Sequence, residues 1–95
     1  MPPFPVTVTA SYNAALASHG ALGRLRAWAD EGDGRTFIVD DSIAPVRWTA
    51  SADYVVDAVS AHEAERAAVG RFMAECERAG IEAPETILGA TGPAG

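Results

Sequence analysis

Few residues in this sequence belong to the types that catalyse reactions or hold metals, and the stretch HEAER is the first whose spacing can be tested. His62 and Glu63 begin it in the manner of the helical zinc motif HExxH. In that motif a second histidine lies one helical turn after the first, so that two imidazoles converge on the ion. Arg66 occupies that position here, and its guanidinium is a donor without a free lone pair. We therefore predict no metal site and expect His62 to be a partly buried helix residue.

Five carboxylates lie in two short stretches, DEGDG at 30–34 and DDS at 40–42. A calcium-binding loop needs acids that alternate in a fixed frame closed by a late glutamate, and neither stretch has that frame. The glycine patterns that hold phosphate groups in nucleotide-binding proteins are missing from the sequence as well. The acids are therefore expected in solvated turns, and no cofactor is predicted.

Cys76 is the single cysteine, and it lies between Glu75 and Glu77. Negative neighbours raise the pKa of a thiol and so lower its reactivity. One cysteine also excludes an intramolecular disulfide, which is typical of cytoplasmic proteins. We therefore predict a packed, unreactive thiol in a cytoplasmic protein.

Pro2 is the remaining candidate for a catalytic group. If Met1 is removed, the secondary amine of Pro2 stands at the start of a strand, and in this respect the chain resembles the tautomerase superfamily. Arg35 or Arg47 would then bind a substrate carboxylate. Pro3 follows directly, and a Pro-Pro junction hinders the removal of Met1. A tautomerase-like small enzyme is therefore an alternative function, and a non-enzymatic role is favoured.

Charge is distributed unevenly along the chain, whose net charge is −6. Residues 1–29 contain Arg24 and Arg26 and no acid, whereas residues 30–95 contain five arginines and thirteen acids, which gives −8. The acidic part favours a basic protein partner. Arg24 and Arg26 are bidentate donors and so are candidate nucleic-acid contacts, although an acidic chain does not neutralise phosphates in general. No apolar run is long enough to span a bilayer, and no membrane association is predicted.

Hydropathy patterns predict the elements that must position these side chains. In FPVTVTA, valines alternate with threonines, which predicts a strand at 5–10. Leucines and a tryptophan recur at helical spacing in ALGRLRAWADEG, which predicts a helix at 20–31 ended by glycines. The runs 35–40 and 45–49 are predicted to form two strands of a hairpin.

The second half of the chain is predicted to be helical and then flexible. Thr49 or Ser51 would cap a helical region whose apolar stripe contains Val55, Val59, His62, Val69, Met73 and Cys76. The stripe is thin in its middle, so we predict either a bend or two helices, at about 51–63 and 64–79. The remainder, IEAPETILGATGPAG, is rich in proline and glycine and is predicted to be a flexible tail.

These elements follow in the order β-α-β-β-α and predict an α+β fold, in which about three strands form a small sheet with the helices on one face. Residues 1–80 would form a single domain and residues 81–95 the tail. Twenty alanines leave few large side chains for the core, so the chain is expected to form a homo-oligomer.

Part of this arrangement resembles the Phd/YefM type of bacterial antitoxin over about residues 16–60. Leu22, Leu25 and Gly32 have the Leu-x-x-Leu spacing and downstream glycine of that family's first helix, and Ser51 and Tyr54 in SADY resemble the residues that open its next helix. The resemblance implies a dimer through the N-terminal unit and an acidic C-terminal helix and tail that wrap a toxin. His19 stands where the family carries an arginine that contacts DNA, so partner binding is favoured over DNA binding.

We therefore predict a small, antitoxin-like protein-interaction module with a protein partner that is basic in charge. Its partner-binding residues would be the apolar side chains of the second helical region and the tail, namely Val59, Val69, Phe72, Met73, Ile87 and Leu88. A further alternative is a self-associating structural or phage-derived component of a larger assembly.

Overall fold

Four strands and two α-helices make up the described residues of the computed structural model, which are 3–42 and 44–91. The strands are β1 (Pro3–Asn13), β2 (Arg35–Asp40), β3 (Arg47–Asp57) and β4 (Thr86–Thr91). The helices are α1 (Ala21–Glu31) and α2 (Ala61–Arg78), and a single 3-10 turn, Ala14–Leu16, follows β1. Gly20 precedes α1 with a φ of 84°, a left-handed conformation that glycine adopts without steric cost.

The sheet is antiparallel throughout, with the strand order β2-β3-β1-β4. The long central strands β1 and β3 pair along their whole length, from Pro3 opposite Asp57 to Asn13 opposite Arg47. Each helix connects two strands that are separated by a third, because α1 joins β1 to β2 and α2 joins β3 to β4. This is the split βαβ, or ferredoxin-like, connectivity, and a connectivity alone identifies no function.

One face of the sheet is covered by both helices and carries the core. Even-numbered residues of β1 and β3 point to this face, and they include Val6, Val8, Tyr12, Trp48, Tyr54 and Val56. Buried residues recur every three or four positions on the helices: Ala21, Leu25 and Trp28 on α1, and Ala64, Ala68, Phe72 and Cys76 on α2. The two helices meet where the rings of Trp28 and Phe72 pack edge to face, 5.4 Å between centroids.

The other face of the sheet is open, and hydroxyl side chains dominate its centre. Thr7, Thr9 and Ser11 of β1 lie beside Thr49 and Ser51 of β3 on this face, and none of these five side chains is buried. The period-2 pattern of the strands therefore separates a dry face under the helices from an open one.

The predicted α+β class is confirmed, with both helices on one face of the sheet, and so are the strand at 35–40 and a helix within one residue of 20–31. The second strand of the predicted hairpin is confirmed, but it spans Arg47–Asp57 and not 45–49, so the helix predicted at 51–63 is wrong over residues 51–57. The residues of β3 alternate between buried (Ala52, Tyr54, Val56) and exposed (Asp53, Val55, Asp57), which only a strand between a core and solvent produces.

The second helix is one continuous element, not the pair predicted as one of two alternatives at 51–63 and 64–79. It begins after Ser60, whose side-chain oxygen accepts a hydrogen bond from the Glu63 amide at 3.2 Å, so neither Thr49 nor Ser51 is the cap. Gly70 lies on its exposed side, and the helix passes through it without a break.

The flexible tail predicted at 81–95 is wrong for residues 86–91, which form β4. This strand pairs with β1 from Val6 opposite Thr91 to Ser11 opposite Thr86, and it turns the predicted β-α-β-β-α order into β-α-β-β-α-β. The last part of the predicted tail, residues 92–95, lies outside the described residues. β4 is an edge strand with little apolar alternation of its own, so its neighbours decide its conformation.

Candidate functional site

Three of the six predicted partner-binding residues meet in one place. Val69 of α2 and Ile87 and Leu88 of β4 line a shallow groove, whose other walls are His62, Glu65, Arg66 and Gly89. We call these seven residues the α2–β4 groove. The groove follows the outer edge of β4, on which no strand pairs within the described part of the chain.

Gly89 sets the depth of this groove because α2 crosses β4 at very short range there. A Cβ atom at position 89 would lie 3.0 Å from the Glu65 carbonyl oxygen and 3.1 Å from Val69 Cγ2. These distances are shorter than nearly all Cβ contacts, so a side chain at position 89 would require α2 to shift, and the helix backbone packs directly onto the strand.

The contact with Glu65 shows which backbone amide and carbonyl groups of β4 point away from β1. Its Oε2 accepts hydrogen bonds from the amide and the Oγ1 hydroxyl of Thr91, both at 2.8 Å. These bonds hold the pKa of the Glu65 carboxyl below its usual range. Since the Thr91 amide points away from β1, the alternation of an antiparallel ladder turns the amides and carbonyls of Ile87 and Gly89 to the same open edge. The groove thus offers main-chain hydrogen-bonding groups beside apolar side chains.

The other predicted partner-binding residues lie outside the groove. Val59 is 66% exposed in the connection between β3 and α2, and Met73 is half-buried in a neighbouring depression that also contains Gly70 and Ile81. Phe72 is 0% exposed, at the centre of the core, so it cannot contact a partner while the domain is folded. Its helical spacing was read correctly, but it belongs to the buried side of the stripe.

Arg24 and Arg26, the predicted nucleic-acid contacts, do not form a shared surface. Residues two apart on a helix point in different directions. The Arg24 guanidinium turns back to donate to Ser18 Oγ at 3.3 Å and to the His19 carbonyl at 3.4 Å, whereas Arg26 is exposed. The two cations therefore do not converge on one phosphate or base.

A half-buried polar cluster ties the helices to the other side of the sheet. Glu75 Oε2 accepts hydrogen bonds from the Tyr54 hydroxyl at 2.7 Å and from Arg35 Nη2 at 3.4 Å. Arg35 also donates to the Trp28 carbonyl at 2.9 Å, and its guanidinium lies 4.9 Å from the Trp28 ring centroid. Burial, and then the bond to Glu75, raises the pKa of Tyr54 far above its usual value. The cluster links both helices to β2 and β3 as a structural clamp.

Arg35 and Arg47, the two arginines predicted to bind a substrate carboxylate in a tautomerase-like site, are both engaged within the domain. Arg35 is held by Glu75, and Arg47 forms an ion pair with Glu85 at 3.0 Å, so each of these two guanidinium groups already has an acidic partner. Pro2 lies outside the described residues, and the Pro2 hypothesis stays a prediction.

Cys76 is 2% exposed between α2 and the sheet, as expected of a packed thiol. Burial raises the pKa of this thiol, and the charge of Glu75 acts in the same direction, while a hydrogen bond with Tyr12 acts against them. The prediction that Glu75 disfavours the thiolate is therefore confirmed, with burial as the larger cause. In the residues that the structure describes, no three His, Cys, Asp or Glu side chains are grouped in a way that could hold a metal ion.

Sequence reasoning missed the polar walls of the α2–β4 groove. His62 is exposed and faces the groove, although we expected it to be partly buried, and Glu65 and Gly89 carried no signal of their own. The β-branched residues in TILGAT were the one indication that a strand follows α2. Neither described helix is long and apolar enough to cross a membrane. Comparisons of the chain with protein-family models, with curated proteins and with solved structures give no match.

Proposed function

We propose that the protein is a non-enzymatic, cytoplasmic protein-interaction module, and that its α2–β4 groove binds an extended segment of a partner protein. The observation that carries this proposal is the position of Val69, Ile87 and Leu88 beside the open main-chain edge of β4. A peptide that adds to a sheet edge gains affinity from main-chain hydrogen bonds and specificity from the neighbouring side-chain pockets. The groove supplies both kinds of contact.

The shape of the domain favours this mode over a helix that inserts into a partner's groove. The apolar face of α2 is buried in its own core through Ala64, Ala68, Phe72 and Cys76, so the helix has no second apolar face to offer. What remains accessible is the line where α2 crosses the edge strand. We therefore replace the wrapping helix and tail of the antitoxin resemblance by a groove that receives the partner.

The charge around the groove favours a basic segment. The groove wall carries both signs, in Glu65 and Arg66, so this preference comes from the wider surface, because residues 61–91 contain six glutamates and three arginines. Complementary charge speeds encounter and rejects acidic competitors more than it adds affinity. The antitoxin resemblance names a toxin as the partner, and that identity stays a prediction.

Selection from a library of unstructured peptides that vary in charge and apolar content tests the proposal. The full chain is immobilised, and the affinity of the selected peptides is then measured by fluorescence anisotropy. Leu88→Asp should weaken binding by about tenfold or more, because Leu88 belongs to the strand that the peptide would pair with, and its side chain, beside Thr9 on the open face, would contact alternate side chains of the added strand. Peptides with lysine or arginine beside β-branched residues are expected.

Val59→Asp is the matched control, since Val59 and Leu88 are exposed to nearly the same degree, 66% and 68%, and only Leu88 lies in the groove. Binding to the control should equal that of the wild type. In NMR spectra of the complex, the amides of Ile87 and Gly89 should become protected from hydrogen exchange. Equal losses for both variants, or unprotected amides at those two positions, would show that the peptide binds elsewhere.

A further inference from the structure

The opposite edge of the sheet, β2, is also open, and its main chain points outward in an alternating pattern. The Asp53 amide donates to the Gly34 carbonyl at 3.0 Å, just before β2 begins. In an antiparallel ladder the same direction recurs at every second residue, so Thr36, Ile38 and Asp40 bond to β3. The amides and carbonyls of Arg35, Phe37 and Val39 are consequently turned to the open edge.

This edge lacks three of the devices that usually prevent strands from pairing with other chains, namely proline, lysine and a bulge. Natural edges carry proline, lysine, a bulge or a covering element. The sequence RTFIVD contains neither proline nor lysine, and its register with β3 is continuous from Arg35 opposite Ala52 to Asp40 opposite Arg47. Ile38 is 60% exposed and Val39 37% exposed. A groove bounded by Ala29 and Asp30 of α1 runs along the strand and leaves the edge accessible.

We propose that β2 pairs with β2 of a second copy of this chain, antiparallel about a two-fold axis at Ile38, so that two sheets join into one of eight strands. The residue pattern of the strand favours a second copy in this orientation. Antiparallel pairing about Ile38 sets the apolar residues Phe37, Ile38 and Val39 only against one another and keeps the acidic ends of the two strands, at Asp40 and Asp41, apart. A parallel arrangement would place like charges side by side.

The two-fold axis is placed at Ile38 because of the residue pairs that this register forms across the contact. In this register Ile38 lies opposite Ile38 of the second copy, Phe37 opposite Val39, and Arg35 opposite Asp41. Ile38 bonds to β3 within its own sheet, so it forms a non-hydrogen-bonded pair across the new contact, in which side chains approach most closely. An axis at Phe37 would instead set Ile38 against Thr36 and so lose the apolar pair at the centre of the contact.

The dimer is independent of the proposed function, because the α2–β4 grooves lie at the two outer edges of the eight-stranded sheet. Each interface is isologous, so the pairing closes at two copies. The dimer would present two grooves, and a partner with two binding segments would be held more strongly than one with a single segment.

Disulfide trapping tests the register. Cα atoms of a non-hydrogen-bonded antiparallel pair lie about 4.5 Å apart, within the range that a disulfide spans. Ile38→Cys should therefore give a covalent dimer under mild oxidation, seen on a non-reducing gel. Val55→Cys is the matched control, since Val55 is 67% exposed on the open face but lies on β3, away from the edge. The native Cys76 is buried and should not contribute.

Sedimentation velocity tests the dimer without a crosslink. The wild type should sediment as a species of twice 9.9 kDa at micromolar to millimolar concentrations. Val39→Pro removes one outward amide and no bond to β3, so it should yield a monomer with an unchanged circular dichroism spectrum. A wild type that stays monomeric, a Val39→Pro dimer, or equal crosslinking through residues 38 and 55 would each overturn the proposal. Peptide binding to Leu88→Asp is measured separately and fails or succeeds on its own.

Discussion

The Phe72→Ala substitution separates two roles for one residue, a partner contact predicted from the sequence and a core position in the folded domain. Phe72 is fully buried and packs edge to face on Trp28, with 5.4 Å between the ring centroids. Truncation removes this aromatic contact and leaves a cavity that the alanine-rich surroundings fill poorly. The expected cost is therefore at the level of large core truncations, about 3–5 kcal/mol in the free energy of unfolding.

That loss is large for a domain of this size. At about 0.05–0.15 kcal/mol per residue, a 95-residue domain has a total stability of about 5–14 kcal/mol. Urea unfolding followed by circular dichroism measures the change directly. With a slope near ~1.5 kcal/mol per molar urea, the midpoint should fall by about 2–3 M.

Leu88→Ala is the control, because Leu88 is 68% exposed and its truncation should change the free energy of unfolding by less than about 0.5 kcal/mol. The two variants should also differ in peptide binding, which Leu88→Ala weakens and which Phe72→Ala leaves intact as long as the protein is folded. A Phe72→Ala protein that is as stable as the wild type would refute the core assignment and restore Phe72 as a surface residue.

Three further predictions concern the packing of α2. Gly89→Ala should lower the free energy of unfolding by about 1–3 kcal/mol, because its Cβ would lie 3.0 Å from the Glu65 carbonyl oxygen. Gly70→Ala, whose Cβ would have no atom within 4 Å, should raise the free energy of unfolding by about 0.5–1 kcal/mol. Thermal unfolding of both variants measures the contrast. The pKa of Glu65 is lowered in the folded state, so its contribution is present above the unfolded value of 4.5 and is lost as the pH falls through the folded value. Melting temperatures of the wild type and of Glu65→Gln should therefore converge in acid, and a constant gap would contradict this account. Cys76, whose pKa is raised and whose side chain is buried, should resist iodoacetamide in the native state and react in urea; rapid labelling of the native protein would contradict its packed position.

Two elements were readable from the sequence because their own residues contain the whole signal. α1 has apolar residues at helical spacing and a glycine directly after it, and β2 is a short run of β-branched and aromatic residues between a glycine turn and two acids. In each of these cases the deciding interaction is local.

The boundary between β3 and α2 could not be placed in the same way. The segment from Thr49 to Val59 contains apolar residues at both strand and helix spacing, and its residues Thr49 and Ser51 are both acceptable helix caps. Its full pairing with β1 decides in favour of the strand, because eleven consecutive residues on each strand are matched in register. That pairing joins residues that are 34 to 54 positions apart in the chain, and no local pattern records it.

The sequence by itself therefore determined the α+β class, the first helix, the β2 strand and the acidic character of the second half of the chain. The tertiary structure decided that residues 86–91 are a strand, that Phe72 is core, and that Val69 meets Ile87 and Leu88 in one groove. The physical reason is the range of the interactions. Periodicity and charge are properties of neighbouring residues, whereas the groove exists only where α2 crosses β4 so closely that a Cβ atom at position 89 would lie 3.0 Å from the Glu65 carbonyl oxygen.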